Sequence, residues 1–116
     1  MNEKLLGFDV LKGSVILSVG SHAQGDKTWI IHTNNGTYEL WIDDDGCGGC
    51  NDSYAFLESV DGIENIIGKT ITNVDDKSNS YSATIKLMSD EAYCTIKIIH
   101  EQNGYYGFSY QLIKLT

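Results

Sequence analysis

The chemistry of this chain is concentrated between Asp43 and Ser53, in the stretch DDDGCGGCNDS. Cys47 and Cys50 form a Cys-x-x-Cys knuckle in which Gly48 and Gly49 permit the tight turn that aims both sulfurs at one ion. Two thiolates are half of a tetrahedral zinc shell, and no second Cys-x-x-Cys is present to complete it. The other ligands must come from elsewhere in the chain. Candidates are His22, His32, His100, Cys94 and the neighbouring carboxylates Asp43, Asp44, Asp45 and Asp52. His100 is favoured because it ends an expected strand in the second half, so that joining it to the knuckle cross-links both halves. Asp45, His32 and His22 compete for the fourth place. The expected site is a structural zinc on Cys47, Cys50, His100 and Asp45, with His22, His32, Cys94 and Asp44 as alternatives. A redox role fits less well, because three aspartates just upstream disfavour thiolate, whereas a divalent cation neutralises them and deprotonates the sulfurs.

Other motifs fail on their spacing. Asp43, Asp45 and Gly46 match three positions of a calcium loop, but Trp41 occupies its first position and Asp52 its last. Gly68, Lys69 and Thr70 look like the end of a phosphate loop, yet Ile63 stands where the first glycine belongs. No Gly-x-Ser-x-Gly is present, and three histidines scattered among expected strands do not mark a triad. Pairs such as Glu39 with Glu58, or Glu101 with Asp90, read as solvated surface charge. No enzyme is expected. His100 to Tyr110, HEQNGYYGFSY, combines four aromatics with two glycines and suits sheet packing first and partner contact second.

Strands must position these residues. Thr28 to Thr33 pairs with Thr37 to Asp43 across Asn34, Asn35 and Gly36, a strong hairpin signal. Ser14 to Val19 precedes that hairpin. Lys69 to Val74, Tyr81 to Met88, Tyr93 to His100 and Tyr105 to Leu112 read as four more strands, with Ser89, Asp90 and Glu91 turning the second into the third. Phe56, Leu57 and Val60 have helical spacing behind Ser53, which predicts a central helix from Tyr54 to Val60, extending at most to Ile67, that Gly62 breaks into one short helix plus a turn. Leu5-Leu6-Gly7 and Val10 recur sixty-one positions later as Ile66-Ile67-Gly68 and Ile71. The expected architecture is one α+β domain over residues 1–116, mostly antiparallel, with about six to seven strands in two related β-units and one short helix.

Length and charge narrow the partners. With 116 residues and 41% apolar content the chain can build a core without disulfide staples. Sixteen acids against eight basic residues, with no arginine and no proline, give a net charge of −8. That excludes most nucleic-acid binders, which need a basic face, and suits a basic protein partner. No apolar run approaches a membrane span and no secretory leader is legible, so the expected location is cytoplasmic, within a bacterial cell. Three cysteines are an odd number, which fits metal ligands or free thiols better than a disulfide framework.

Taken together, Leu5-Leu6-Gly7, the hairpin, DDDGCGGCNDS, Gly62-Ile63-Glu64-Asn65-Ile66-Ile67-Gly68 and His100-Glu101-x-Asn103-Gly104-Tyr105-Tyr106 resemble a small uncharacterised domain family of phages and prophages of Gram-positive bacteria. The two glycines between the cysteines depart from that family's adjacent-cysteine form. The resemblance implies no activity but does imply a phage setting. Size and acidity in that setting are similar to those of type II anti-CRISPR proteins. The implied function is a stoichiometric inhibitor of a basic host defence protein, Cas9 first among them, since Cas9-type effectors hold guide and target in positively charged channels. The alternatives are a small metal-dependent hydrolase or nuclease, and a non-catalytic oligomeric phage module.

Overall fold

The computed structural model describes residues 5–44, 53–102 and 108–116. Within them lie nine strands: β1 (Leu5–Leu6), β2 (Ile16–Val19), β3 (Thr28–Thr33), β4 (Gly36–Asp44), β5 (Ser53–Asp61), β6 (Asn73–Ser78), β7 (Ser82–Met88), β8 (Tyr93–Gln102) and β9 (Phe108–Lys114). Helix is confined to a 3-10 turn over Phe8–Leu11 and one α-helical turn, α1 (Ile63–Ile66). All pairings are antiparallel, in a five-stranded sheet ordered β1-β9-β4-β3-β2 and a four-stranded sheet ordered β5-β8-β7-β6. The expected antiparallel character holds. The α+β assignment and the count of six to seven strands are matched only in part, since helix is limited to these two turns and nine strands are described.

Alternation along the strands builds the core. In β3, Trp29, Ile31 and Thr33 point inward; in β4, Tyr38, Leu40 and Ile42; in β7, Ala83, Ile85 and Leu87; in β8, Cys94, Ile96, Ile98 and His100. Each set is one face of a pleated strand, and the two sheets lay these faces together over one continuous apolar cluster. Phe108 of the first sheet meets His100 of the second, with ring centres 4.7 Å apart. No described helix is long and apolar enough to cross a membrane.

The expected helix from Tyr54 to Val60 is strand β5. Its register against β8 slips between Leu57 and Ser59, which leaves Glu58 as an extra residue in a β-bulge. Inward positions therefore run Ala55, Leu57, then Val60, and that break in alternation imitates helical spacing. The edge of β5 is covered by the segment after β2. Gly25 N–H donates to the Leu57 carbonyl at 2.9 Å, Leu57 N–H to that of Asp26 at 2.7 Å, and Lys27 Nζ to that of Ala55 at 2.8 Å. An edge so covered is closed to unwanted strand pairing.

The expected strand from Lys69 to Val74 is also displaced, since β6 begins at Asn73. The residues before it instead cross between the sheets, where Thr70 forms an isolated bridge with Val15. That bridge joins corresponding points of two related halves. Gly7 and Gly62, fifty-five positions apart, each precede a single helical turn. Gly13 and Gly68 follow those turns with φ of +90° and +84°, and Ile16 and Ile71 are then fully buried. Gly13 N–H donates to the Ile71 carbonyl at 2.7 Å and Gly68 N–H to that of Ile16 at 2.8 Å, a reciprocal pair. Each half forms a three-stranded meander and then sends its last strand across: β5 joins β8, and β9 joins β4. Two related β-units are thus present, offset by fifty-five positions rather than the sixty-one that the Leu-Leu-Gly echo suggested.

Gly62 fixes the passage between the halves. Its φ is +85°, and a Cβ there would stand 2.9 Å from the Tyr93 carbonyl oxygen, which belongs to rigid strand backbone. Gly62→Ala is expected to cost about 2 to 3 kcal/mol, through left-handed strain and that clash. A shift in the denaturant midpoint would measure the cost; an unchanged midpoint would contradict the assignment.

Candidate functional site

Both ends of the cysteine-bearing segment are anchored at one end of the sandwich. β4 ends at Asp44 opposite Phe108, and β5 begins at Ser53 opposite Gln102. Asp45, Cys47 and Cys50 themselves lie outside the described residues, as do Asp52 and the Asn103 to Tyr106 part of the aromatic segment. His100 sits two rungs inside this end, on the inner face of β8 opposite Ala55. It is 1% exposed, and its Nδ1 is 2.9 Å from the Ser80 carbonyl oxygen. A carbonyl can only accept, so Nδ1 carries the proton in this bond. Metal-bound histidines are commonly oriented in this way. The same bond also serves a histidine that is simply packed.

The alternative ligands are dispersed. Cys94 shares the inner face of β8 with His100 but lies six residues earlier, about 20 Å along the strand at ~3.4 Å per residue, too far to share an ion. His32 points to the outer face of the first sheet, with Nδ1 3.1 Å from Thr37 Oγ1, at the opposite end of β4 from Asp44. His22 packs edge-on against Trp29, ring centres 5.7 Å apart. Among the described residues no three His, Cys, Asp or Glu side chains are grouped closely enough to hold a metal. Of the expected ligands outside the knuckle, the fold thus brings His100 to the end where the knuckle's segment is anchored.

The paired carboxylates behave as surface groups. Glu39 accepts a hydrogen bond from Trp41 Nε1 at 2.7 Å on the first sheet, and Glu58 accepts one from Gln24 Nε2 at 2.6 Å on the second. Asp90 and Glu101 flank opposite ends of β8. Phe108 and Tyr110 both pack between the sheets, as the aromatic segment predicted in the first place. Tyr110 lies 6.3 Å from Phe8, ring to ring, and its hydroxyl donates to Asp76. Burial, then that carboxylate, pushes its phenol up to about 12.

A feature the sequence did not single out lies at the other end of the second sheet. An open groove there is lined by the exposed carboxylates of Asp61 and Glu91, a neighbouring groove by those of Asp90 and Glu91, and Glu64 is exposed on α1. Asn65, Ala92 and Tyr93 also line the first groove, and Lys69 lines both. Tyr93 is 58% exposed, and Lys86 Nζ lies 5.5 Å from the centre of its ring. Ion pairing does little to offset this charge. Among the described residues one ion pair joins two described side chains, Lys77 with Asp75 at 3.8 Å, and it lies on β6.

Beneath the groove, Cys94 is wholly buried. Burial first, then Glu64 and Asp61, push its thiol up to about 12. A thiol so raised is almost entirely protonated at pH 8 and unreactive. Iodoacetamide is expected to spare Cys94 in the native protein and modify it after unfolding, as read by peptide mass spectrometry. Equal modification in both states would show the site to be open.

No protein-family profile, curated protein or solved structure matches this chain.

Proposed function

We propose that the chain acts by binding, as an anti-defence protein of a phage or prophage that occupies a basic surface of a host defence protein, with a Cas9-type effector as the first candidate. The observation that carries this reading is the carboxylate end: Asp61 and Glu91 line a groove beside exposed Tyr93, Asp90 lines the neighbouring groove, and Glu64 is exposed on α1. Four carboxylates against Lys69 leave an excess of negative charge at this end, and a complementary basic surface relieves their repulsion while steering encounter. The tyrosine supplies rigid contact area of the kind found at binding hot spots.

Zinc on Cys47, Cys50, His100 and Asp45 belongs to the same proposal as a structural element. The donor chemistry fits: two thiolates suit zinc, the adjacent carboxylates tolerate a cation, and the Ser80 carbonyl orients the His100 ring. Bound there, the metal would supply cross-linking of the Gly-rich segment to the second sheet.

The test is target cleavage by a Cas9-type effector in the presence of excess protein. Loss of cleavage is expected with the native chain. With Asp61→Asn, Glu64→Gln, Asp90→Asn and Glu91→Gln combined, association is expected to slow by about 10- to 100-fold while the fold is retained. Full cleavage together with no binding at low salt would contradict the proposal.

A further inference from the structure

A second groove on the outer side of the four-stranded sheet is separate from the carboxylate end. It runs between the segment after β2 and the first half of β5, and is lined by Gln24, Gly25, Tyr54, Phe56 and Glu101. Tyr54 and Glu101 are direct cross-strand partners, so their side chains stand side by side, with Cβ atoms about 5 Å apart. Tyr54 is 61% exposed, among the most exposed large side chains of the protein, whereas Phe56 beneath it is half-buried.

An aromatic ring flanked by a carboxylate is a seat for a flat cation. The guanidinium of arginine can stack on the ring while its N–H groups pair with the carboxylate, and the aliphatic stem can lie on the second ring. Lys27 Nζ already lies 5.7 Å from the centre of the Tyr54 ring, so an incoming guanidinium must take the part of the ring that Lys27 leaves open. Lys27 is held by its bond to the Ala55 carbonyl, and much of the tyrosine still faces solvent.

We infer that the Tyr54–Phe56–Glu101 groove is an arginine-binding seat for a basic segment of the partner protein. This rests on the reading that the partner is basic, and it adds a recognition site on the sheet face to the carboxylates that attract the partner from a distance. Attraction alone leaves register unspecified. A side chain held between ring and carboxylate fixes it.

The probe is an oligo-arginine peptide titrated into isotope-labelled protein at low salt and followed by amide shifts. The largest changes are expected at Gln24, Gly25, Tyr54, Phe56 and Glu101. Tyr54→Ala is expected to weaken binding about tenfold and Glu101→Gln about fivefold, while Leu17→Ala, which removes an exposed apolar side chain from the other sheet, should change it less than about twofold. Shifts centred on Asp61, Glu64, Asp90 and Glu91 with no change at Tyr54 would overturn the assignment. So would equal losses in the Tyr54 and Leu17 variants, or no binding at all. Failure of the Cas9-type effector to bind, with oligo-arginine still seated at Tyr54, would remove the proposed target and leave this groove in place. The opposite pair of results would remove the groove and leave the target.

Discussion

Trp29→Ala should destabilise the protein by about 4 kcal/mol, near the upper end of single-residue effects. Trp29 is 1% exposed on the inner face of β3, opposite Leu40 on β4. Its indole N–H also donates to the Gly20 carbonyl at 2.9 Å, tying the connection after β2 to the core. Removing the ring therefore leaves a large cavity and an unpaired acceptor together. His22 would lose the ring it packs against as well. The same connection covers the edge of β5 through Gly25, Asp26 and Lys27, so its loosening should expose that strand. Urea unfolding would measure the loss, and hydrogen exchange should show reduced protection at Leu57. A loss below about 1 kcal/mol would mean that the ring is not packed as described.

Zinc removal should have the second large effect. The apolar cluster spans both sheets, so the sandwich is expected to fold on core burial, unlike small zinc domains that unfold without metal. Stabilisation is instead expected through tight binding to the folded state alone. A ligand present at a thousandfold excess over its dissociation constant contributes about 4 kcal/mol, which corresponds to a fall in melting temperature of very roughly 15 to 30 °C for a domain of this size when it is lost. Cys47→Ser should reproduce most of the fall and abolish any further response to chelator. Cys94→Ser should leave the chelator response intact, because Cys94 lies too far along β8 from His100 to share an ion. Equal melting temperatures with and without chelator would remove zinc from the account.

Much of this fold was legible residue by residue. Thr28 to Thr33, the Asn34-Asn35 turn and the alternation from Thr37 to Asp43 state a hairpin in plain β chemistry, and β3 and β4 form it. Ser89 to Glu91 turn β7 into β8 as expected, with the Ser89 hydroxyl accepting from Ala92 N–H. The central element was misread for a physical reason. One extra residue at Glu58 shifts the inward positions by one, and a strand with a bulge then has the spacing of a helix. The repeat was found at the wrong offset because Leu-Leu-Gly and Ile-Ile-Gly match as letters. Gly7 with Gly62, Gly13 with Gly68 and Ile16 with Ile71 match as backbone roles.

The site was less legible because its parts are brought together by pairing across the chain. Asp61 and Glu64 belong to the link between the halves, Asp90 and Glu91 to a turn some thirty positions later, and a count of acids spreads them evenly. The packing of α1 against β8, beside the turn that precedes β8, brings them to one end of the sheet. His100 was reachable from sequence as a residue ending a strand in the second half. Its carbonyl partner at Ser80 was not, since that bond depends on how the turn before β7 lies against the end of β8.

The central claim is that exposed carboxylates direct this protein to a basic protein surface. The most direct test is its affinity for a purified Cas9-type effector at about 50 mM and about 500 mM salt. Screening shortens the electrostatic reach from about 14 Å to about 4 Å over that range, so affinity is predicted to fall by at least about tenfold, mainly through a slower association rate. Binding that is equally tight at both concentrations, or absent at the lower one, would contradict the account.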